Sequence, residues 1–128
     1  RFHAPSGPAL QIACEILGQP EFVRKFLDIS HERLREGYKL TTHTLDNAGI
    51  PYYRGSNSGH FVYVNLSGYL SNFESNKGDG KDSEFSLAQH ILDHGVFLHP
   101  KEEHNEKPGY FRMAFASVSL EMLAIGLE

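Results

Sequence analysis

Cysteine, clustered positive charge and long apolar runs are all scarce in this chain of 128 residues. Cys14 is its single cysteine, which excludes an internal disulfide and a thiolate metal cluster. That usage fits a reducing, intracellular setting, and a cytoplasmic location is expected. Twelve Lys and Arg stand against sixteen Asp and Glu, with both signs mixed along the chain. A nucleic-acid or anionic-membrane surface needs concentrated Lys and Arg, so neither partner is expected. No apolar run approaches the ~20 residues of a membrane span, and no signal peptide opens the sequence.

What is present is material for a core. Two fifths of the residues are apolar, including nine Phe and six Tyr. The length suits one domain rather than two. The sequence opens at Arg1 and stops at Glu128 inside an apparent helix, so a piece of a longer polypeptide is expected.

Punctuation predicts the elements. Gly7-Pro8 opens a first helix and Gly18 closes it, with Leu10, Ile12, Ala13, Ile16 and Leu17 as its apolar face. Pro20 opens a second helix that runs to Gly49. Val23, Phe26, Leu27, Leu34, Tyr38 and Leu45 recur at helical spacing, and Glu32, Arg33, Arg35, Glu36 and Lys39 form its solvated side. At ~1.5 Å per residue it is about 40 Å long, enough to bridge parts of a larger protein. Ile50–Tyr53 reads as a short extended segment and His60–Leu66 as a strand. Phe61 and Tyr63 share one face of that strand; Val62, Val64 and Leu66 share the other. Apolar residues on both faces predict a strand covered on both sides. Ser71–Ser83 reads as a surface loop. A third helix follows, with Phe85, Ala88, Ile91 and Leu92 inward and Gly95 as its stop. Val96–His99 and Tyr110–Ser117 read as strands flanking a charged loop over Pro100–Pro108, and Ser119 begins a last helix. The expected class is α+β, a small mixed or antiparallel sheet packed against helices.

Arg112 does not fit its strand. Alternation puts Phe111, Met113 and Phe115 on one face, and Tyr110, Arg112, Ala114 and Ala116 on the other. A guanidinium keeps its charge, and if buried it needs an anion. The alanines beside it leave space, and its planar fork matches a carboxylate bidentately. Pairing with a glutamate of its own domain, or a place on an exposed edge, accounts for the pattern as well.

Three stretches decide between these readings. They are Glu21-Phe22-Val23 through Glu32-Arg33-Leu34; Gly49-Ile50-Pro51-Tyr52 followed by Asn57-Ser58-Gly59-His60-Phe61-Val62-Tyr63-Val64-Asn65-Leu66; and Pro108-Gly109-Tyr110-Phe111-Arg112-Met113-Ala114-Phe115-Ala116. In order and spacing they resemble the C-terminal part of class I/II aminotransferases, most closely the 1-aminocyclopropane-1-carboxylate synthase branch and its fungal relatives. The chain departs from the pattern at Lys101, where glycine is usual, and at His60, where an apolar residue is usual.

The resemblance implies the small domain of a fold-type I pyridoxal-phosphate enzyme. Residues 1–18 would be a leading helix to a missing large domain, and 19–128 the small domain itself. It implies that Arg112 binds the α-carboxylate of an amino-acid substrate. Gly59 would lie beside the substrate, and Ser6 near the active site of the partner subunit in a homodimer. The cofactor, pyridoxal 5'-phosphate, and the catalytic lysine would belong to the large domain, so this chain alone is not expected to catalyse transamination or elimination. The alternative is a non-catalytic amino-acid-binding or regulatory module on the same fold.

Other clusters weigh less. His90 and His94 have the spacing of a helical metal pair, but no Glu follows His90, and solvent-facing histidines are the expectation. Lys77–Lys81 lacks the order of a phosphate-binding loop. Glu102-Glu103-His104 reads as solvated charge.

Overall fold

The computed structural model describes residues 6–56, 58–73, 81–100 and 108–128. They form two compact units, residues 1–35 and 36–128. The first unit holds helix α1 (Gly7–Leu17) and the opening part of helix α2 (Pro20–Asn47). Ser6 caps α1, its Oγ accepting from the Ala9 N–H at 3.4 Å. That satisfies one of the amides a helix leaves open at its start. Gly18 stops α1 in right-handed geometry, φ −70°, not the left-handed geometry that a terminal glycine suggests. Leu10, Ile12, Ile16 and Leu17 are all exposed, so the apolar face of α1 is uncovered within its unit.

In the second unit α2 continues with Gly37, Thr41 and Leu45 buried at helical spacing. Strand β1 (Phe61–Asn65) pairs antiparallel with β2 (Tyr110–Ala114), in a register that sets Tyr63 opposite Arg112 and Phe61 opposite Ala114. Tyr52 bridges to Val64 on the outer side of β1, and His99 bridges to Arg112 on the outer side of β2. The expected strand at Val96–His99 thus contributes one bridging residue, held by two backbone bonds to Arg112 of 2.9 and 3.2 Å.

One face of this sheet is the core. Val62, Val64, Phe111 and Phe115 are buried there, with Leu45, Leu66, Leu87, Leu98 and Leu123 completing the apolar interior. Each such side chain contributes about 1.5–3 kcal/mol on burial. Helix α4 (Leu120–Leu127), capped by Ser119, supplies Leu123. Gly37 lets α2 approach closely: a Cβ there would stand 3.2 Å from the Phe115 carbonyl and 3.8 Å from Leu123. Tyr38 meets the Phe115 ring edge-on at 5.9 Å.

The other face corrects the expectation of a strand covered on both sides. Phe61 is 41% exposed and Tyr63 is half-buried. Among the described residues no second layer covers them. The apolar alternation of His60–Leu66 therefore does not report two-sided cover among the described residues.

Helix α3 (Lys81–Asp93) corrects a second expectation. Phe85 and Leu92 point outward, while Leu87 is buried, with Ala88 and Ile91 half-buried. The stripe is rotated because Glu84, itself buried, turns inward to accept a hydrogen bond from the Gly109 N–H. The loop expected over Ser71–Ser83 ends in ordered helix on both sides, a 3₁₀ helix at Ser67–Phe73 and the start of α3. Its middle, 74–80, lies outside the described residues, as do most of the charged loop of Pro100–Pro108 and the Glu102-Glu103-His104 cluster.

Two polar features complete this unit. Asp46 accepts from Arg54 Nη2 at 2.5 Å and from the Tyr52 hydroxyl at 3.3 Å, tying the extended segment to the end of α2. Burial pushes the Tyr52 phenol above its usual value; the Arg54 charge opposes this and Asp46 adds to it. Thr41 is fully buried, and its Oγ1 has no hydrogen-bond partner among the described residues. An unmet buried hydroxyl costs about 1–3 kcal/mol, and an apolar group of the same shape removes that cost. Thr41→Val is therefore expected to raise stability by about 1 kcal/mol, read as a higher denaturant midpoint at unchanged slope.

Candidate functional site

The outer face of the sheet gathers the residues that chemistry can use. Register places Phe61, Tyr63, Arg112 and Ala114 there together, because directly paired residues share a face. His99, bridged to Arg112, belongs to the same face. Asn65 and Tyr110 close one end, with an Asn65 Nδ2–Tyr110 Oη contact of 3.5 Å.

Arg112 is half-buried. Its backbone is fixed on both sides, by Tyr63 across β1–β2 and by His99 beyond. Its guanidinium lies over the Phe61 ring, Cζ 4.8 Å from the ring centroid. Among the described residues no carboxylate comes within ion-pair distance of it. The one ion pair among them is Arg54 with Asp46. The alternative in which a described acid of its own domain neutralises Arg112 does not match this geometry. A fixed cation whose donors meet no acceptor among the described residues can take a carboxylate.

The turn before β2 aims that strand. Gly109 has φ 93°, a conformation that side chains rarely adopt. It is packed against Ser67, so that a Cβ would overlap the Ser67 Cα and lie 2.6 Å from its Cβ. Its N–H donates to Glu84, and its carbonyl accepts from Leu66 N at 2.7 Å. Glu84 went unseen in the sequence because acids are mostly solvated, and no local pattern marks its partner 25 positions away.

Gly59 stands just before β1 with φ 85° and is exposed, and a Cβ there would meet nothing within 4 Å. Its backbone conformation accounts for the glycine without any crowding from the described residues. Ser6 belongs to the other compact unit, where it caps α1. His90 and His94 are both exposed. Their rings are 4.6 Å apart, and His94 Nδ1 lies 2.8 Å from the His90 carbonyl.

A pyridoxal phosphate group needs a lysine amine in a secluded pocket to form its covalent link. Lys25 and Lys39, the lysines whose side chains are described, both lie exposed on α2. These residues do not fit the cofactor, and no chemical step on it is assigned to this chain.

Comparison with known proteins gives the class. A double mutant of Thermus thermophilus aspartate aminotransferase matches with a TM-score of 0.65 at 22% identity, over 90% of this chain and 26% of that one. At that identity the likeness concerns the fold, an α+β arrangement found in fold-type I pyridoxal-phosphate enzymes. Residues 1–128 match the family Aminotransferase class I and II, and the chain belongs to that family. It is 33% identical over 122 residues to a probable inactive 1-aminocyclopropane-1-carboxylate synthase-like protein 2 of Mus musculus, across 94% of this chain and 20% of that protein. It is 32% identical over 129 residues to 1-aminocyclopropane-1-carboxylate synthase 7 of Arabidopsis thaliana, across 99% of this chain and 27% of that protein. The chain thus spans about a quarter or less of the length of these relatives. No helix among the described residues is long and apolar enough to cross a membrane.

Proposed function

We propose that this chain is the substrate-clamping small domain of a pyridoxal-phosphate-dependent enzyme acting on α-amino acids, as an aminotransferase or as a 1-aminocyclopropane-1-carboxylate synthase-like lyase. One observation carries the reading: Arg112 is fixed on the uncovered face of the sheet, with no described carboxylate near its guanidinium. In this proposal the cofactor and the catalytic lysine belong to a separate large domain of the longer protein, which works as a homodimer. Arg112 then takes the α-carboxylate through two parallel N–H donors. Holding that group fixes the direction of the Cα–H bond, and positioning of this kind lowers the barrier without any bond-making by this chain. Gly59, just ahead of β1, has open space at its Cα, and in this reading it leaves room for the substrate.

A non-catalytic module is the second reading, favoured by the mouse relative whose own name carries "probable inactive". The sequence preceding Arg1 in the longer protein separates the two: a cofactor-lysine motif there favours the enzyme, and a helix-turn-helix segment ahead of a full aminotransferase-like region favours the regulator.

The clamp makes a direct prediction for the longer protein. L-Alanine and L-methionine, each paired with the amine that lacks its α-carboxylate, should differ from that amine in affinity by roughly 30-fold or more by calorimetric titration. Equal affinity for acid and amine would refute the clamp.

A further inference from the structure

We infer that Phe61 is a positioning residue for Arg112: its ring seats the guanidinium and leaves the carboxylate-binding donors free. The inference rests on the clamp reading above. The register explains how the ring gets there. Phe61 faces Ala114 and Arg112 faces Tyr63, so Phe61 and Arg112 are diagonal neighbours across the strand pair. Diagonal positions are within reach of aromatic and long side chains. Ala114 presents only a methyl group opposite Phe61, which leaves the ring free to lean toward the arginine.

The chemistry of the contact matters more than its strength. An arginine's N–H donors lie in the plane of the guanidinium, whereas attraction to an aromatic ring uses the face of that plane. A carboxylate or carbonyl partner would hold Arg112 equally well but would consume the donors that a substrate needs. A ring whose centroid lies 4.8 Å from Cζ restrains the long side chain without presenting an oxygen acceptor to those donors. Among the described residues the guanidinium makes no hydrogen bond, so this ring is its one described side-chain restraint. A 41% exposed phenylalanine on a two-stranded sheet is otherwise a poor use of an aromatic. Its place beneath the guanidinium gives it a function that packing does not.

The test uses the longer protein and the acid–amine pairs named above, titrated against the parent, Phe61→Leu, Phe61→Tyr and Arg112→Ala. Phe61→Leu keeps an apolar side chain but removes the ring. It should weaken amino-acid binding roughly 2- to 30-fold, the range of a cation–π contact from exposed to desolvated, and leave amine binding unchanged. Phe61→Tyr restores the ring and should restore the affinity. If Arg112→Ala weakens amino-acid binding and Phe61→Leu does not, the clamp stands and the positioning role is overturned. Equal weakening of acid and amine by Phe61→Leu would also overturn it, since a purely structural defect does not select for the carboxylate. If Arg112→Ala itself leaves acid binding intact, the clamp falls and this inference falls with it. Should Phe61→Leu not fold, Phe61→Met provides the ring-free arm of the same comparison.

Discussion

Arg112→Ala in the longer protein is expected to weaken amino-acid binding by roughly 30- to 5,000-fold. Truncating one partner of a desolvated, hydrogen-bonded charge pair costs about 2–5 kcal/mol, and each 1.4 kcal/mol is a factor of ten. The loss comes from two sources, the missing donors and the substrate carboxylate left without a partner. Arg112→Lys keeps the charge but presents a single ammonium in place of a fork, so it should recover only part of the loss. The fold should tolerate the change. Arg112 lies on the face of β2 away from Phe111 and Phe115, and no described acid pairs with its guanidinium.

Gly109→Ala is expected to produce the second large effect, this time on stability. A side chain at φ 93° costs on the order of 1–3 kcal/mol in backbone strain. Crowding Ser67 adds about 1–3 kcal/mol of overpacking, and here the obstacle is backbone, which cannot rotate aside. Displacement of the turn also loosens the bonds that Gly109 makes with Glu84 and Leu66. A total of about 4 kcal/mol is a large share of a domain's stability of about 5–15 kcal/mol. The variant should melt at least ~10 °C below the parent or fail to accumulate as folded protein. Gly49→Ala is the matched control. Gly49 also has positive φ, 67°, but a Cβ there meets nothing within 4 Å. Its cost should be about 1 kcal/mol, from backbone conformation alone. Equal melting of the two variants would contradict the packing argument at Gly109.

How much of this was legible in the sequence depends on how local each signal is. Helix α1 ends where Gly7-Pro8 and Gly18 place its ends, and Ser119 begins α4, because such signals act within a few residues. The alternation in Tyr110–Ala116 sorts Phe111 and Phe115 inward and Arg112 outward, as β2 does. Contacts between distant segments were not legible. Phe85, Leu87, Ala88, Ile91 and Leu92 offer α3 two overlapping apolar stripes. The pairing of Glu84 with Gly109 turns Leu87 inward and Phe85 out. The candidate site shows the same limit. The pattern around Arg112 shows that the residue is anomalous, but only the β1–β2 register shows that Phe61 lies beneath it and Tyr63 opposite.

The domain's apolar surfaces add to the proposal of a larger assembly. Phe22, Phe26, Leu27 and Ile29 are exposed in the first unit, and Met122 and Ile125 in the second. Contiguous exposed apolar patches mark surfaces that meet another protein surface, and the relatives are roughly four to five times the length of this chain.

The account turns on whether one guanidinium recognises one carboxylate, and a thermodynamic cycle measures that in a single quantity. Affinities of the parent and Arg112→Ala for L-alanine and for ethylamine give the coupling between the side chain and the α-carboxylate. A coupling of about 2 kcal/mol or more, with ethylamine binding the two proteins alike, is the result this account predicts. A coupling within about 0.5 kcal/mol of zero would show that the carboxylate is held elsewhere, and the assignment of Arg112 would be wrong.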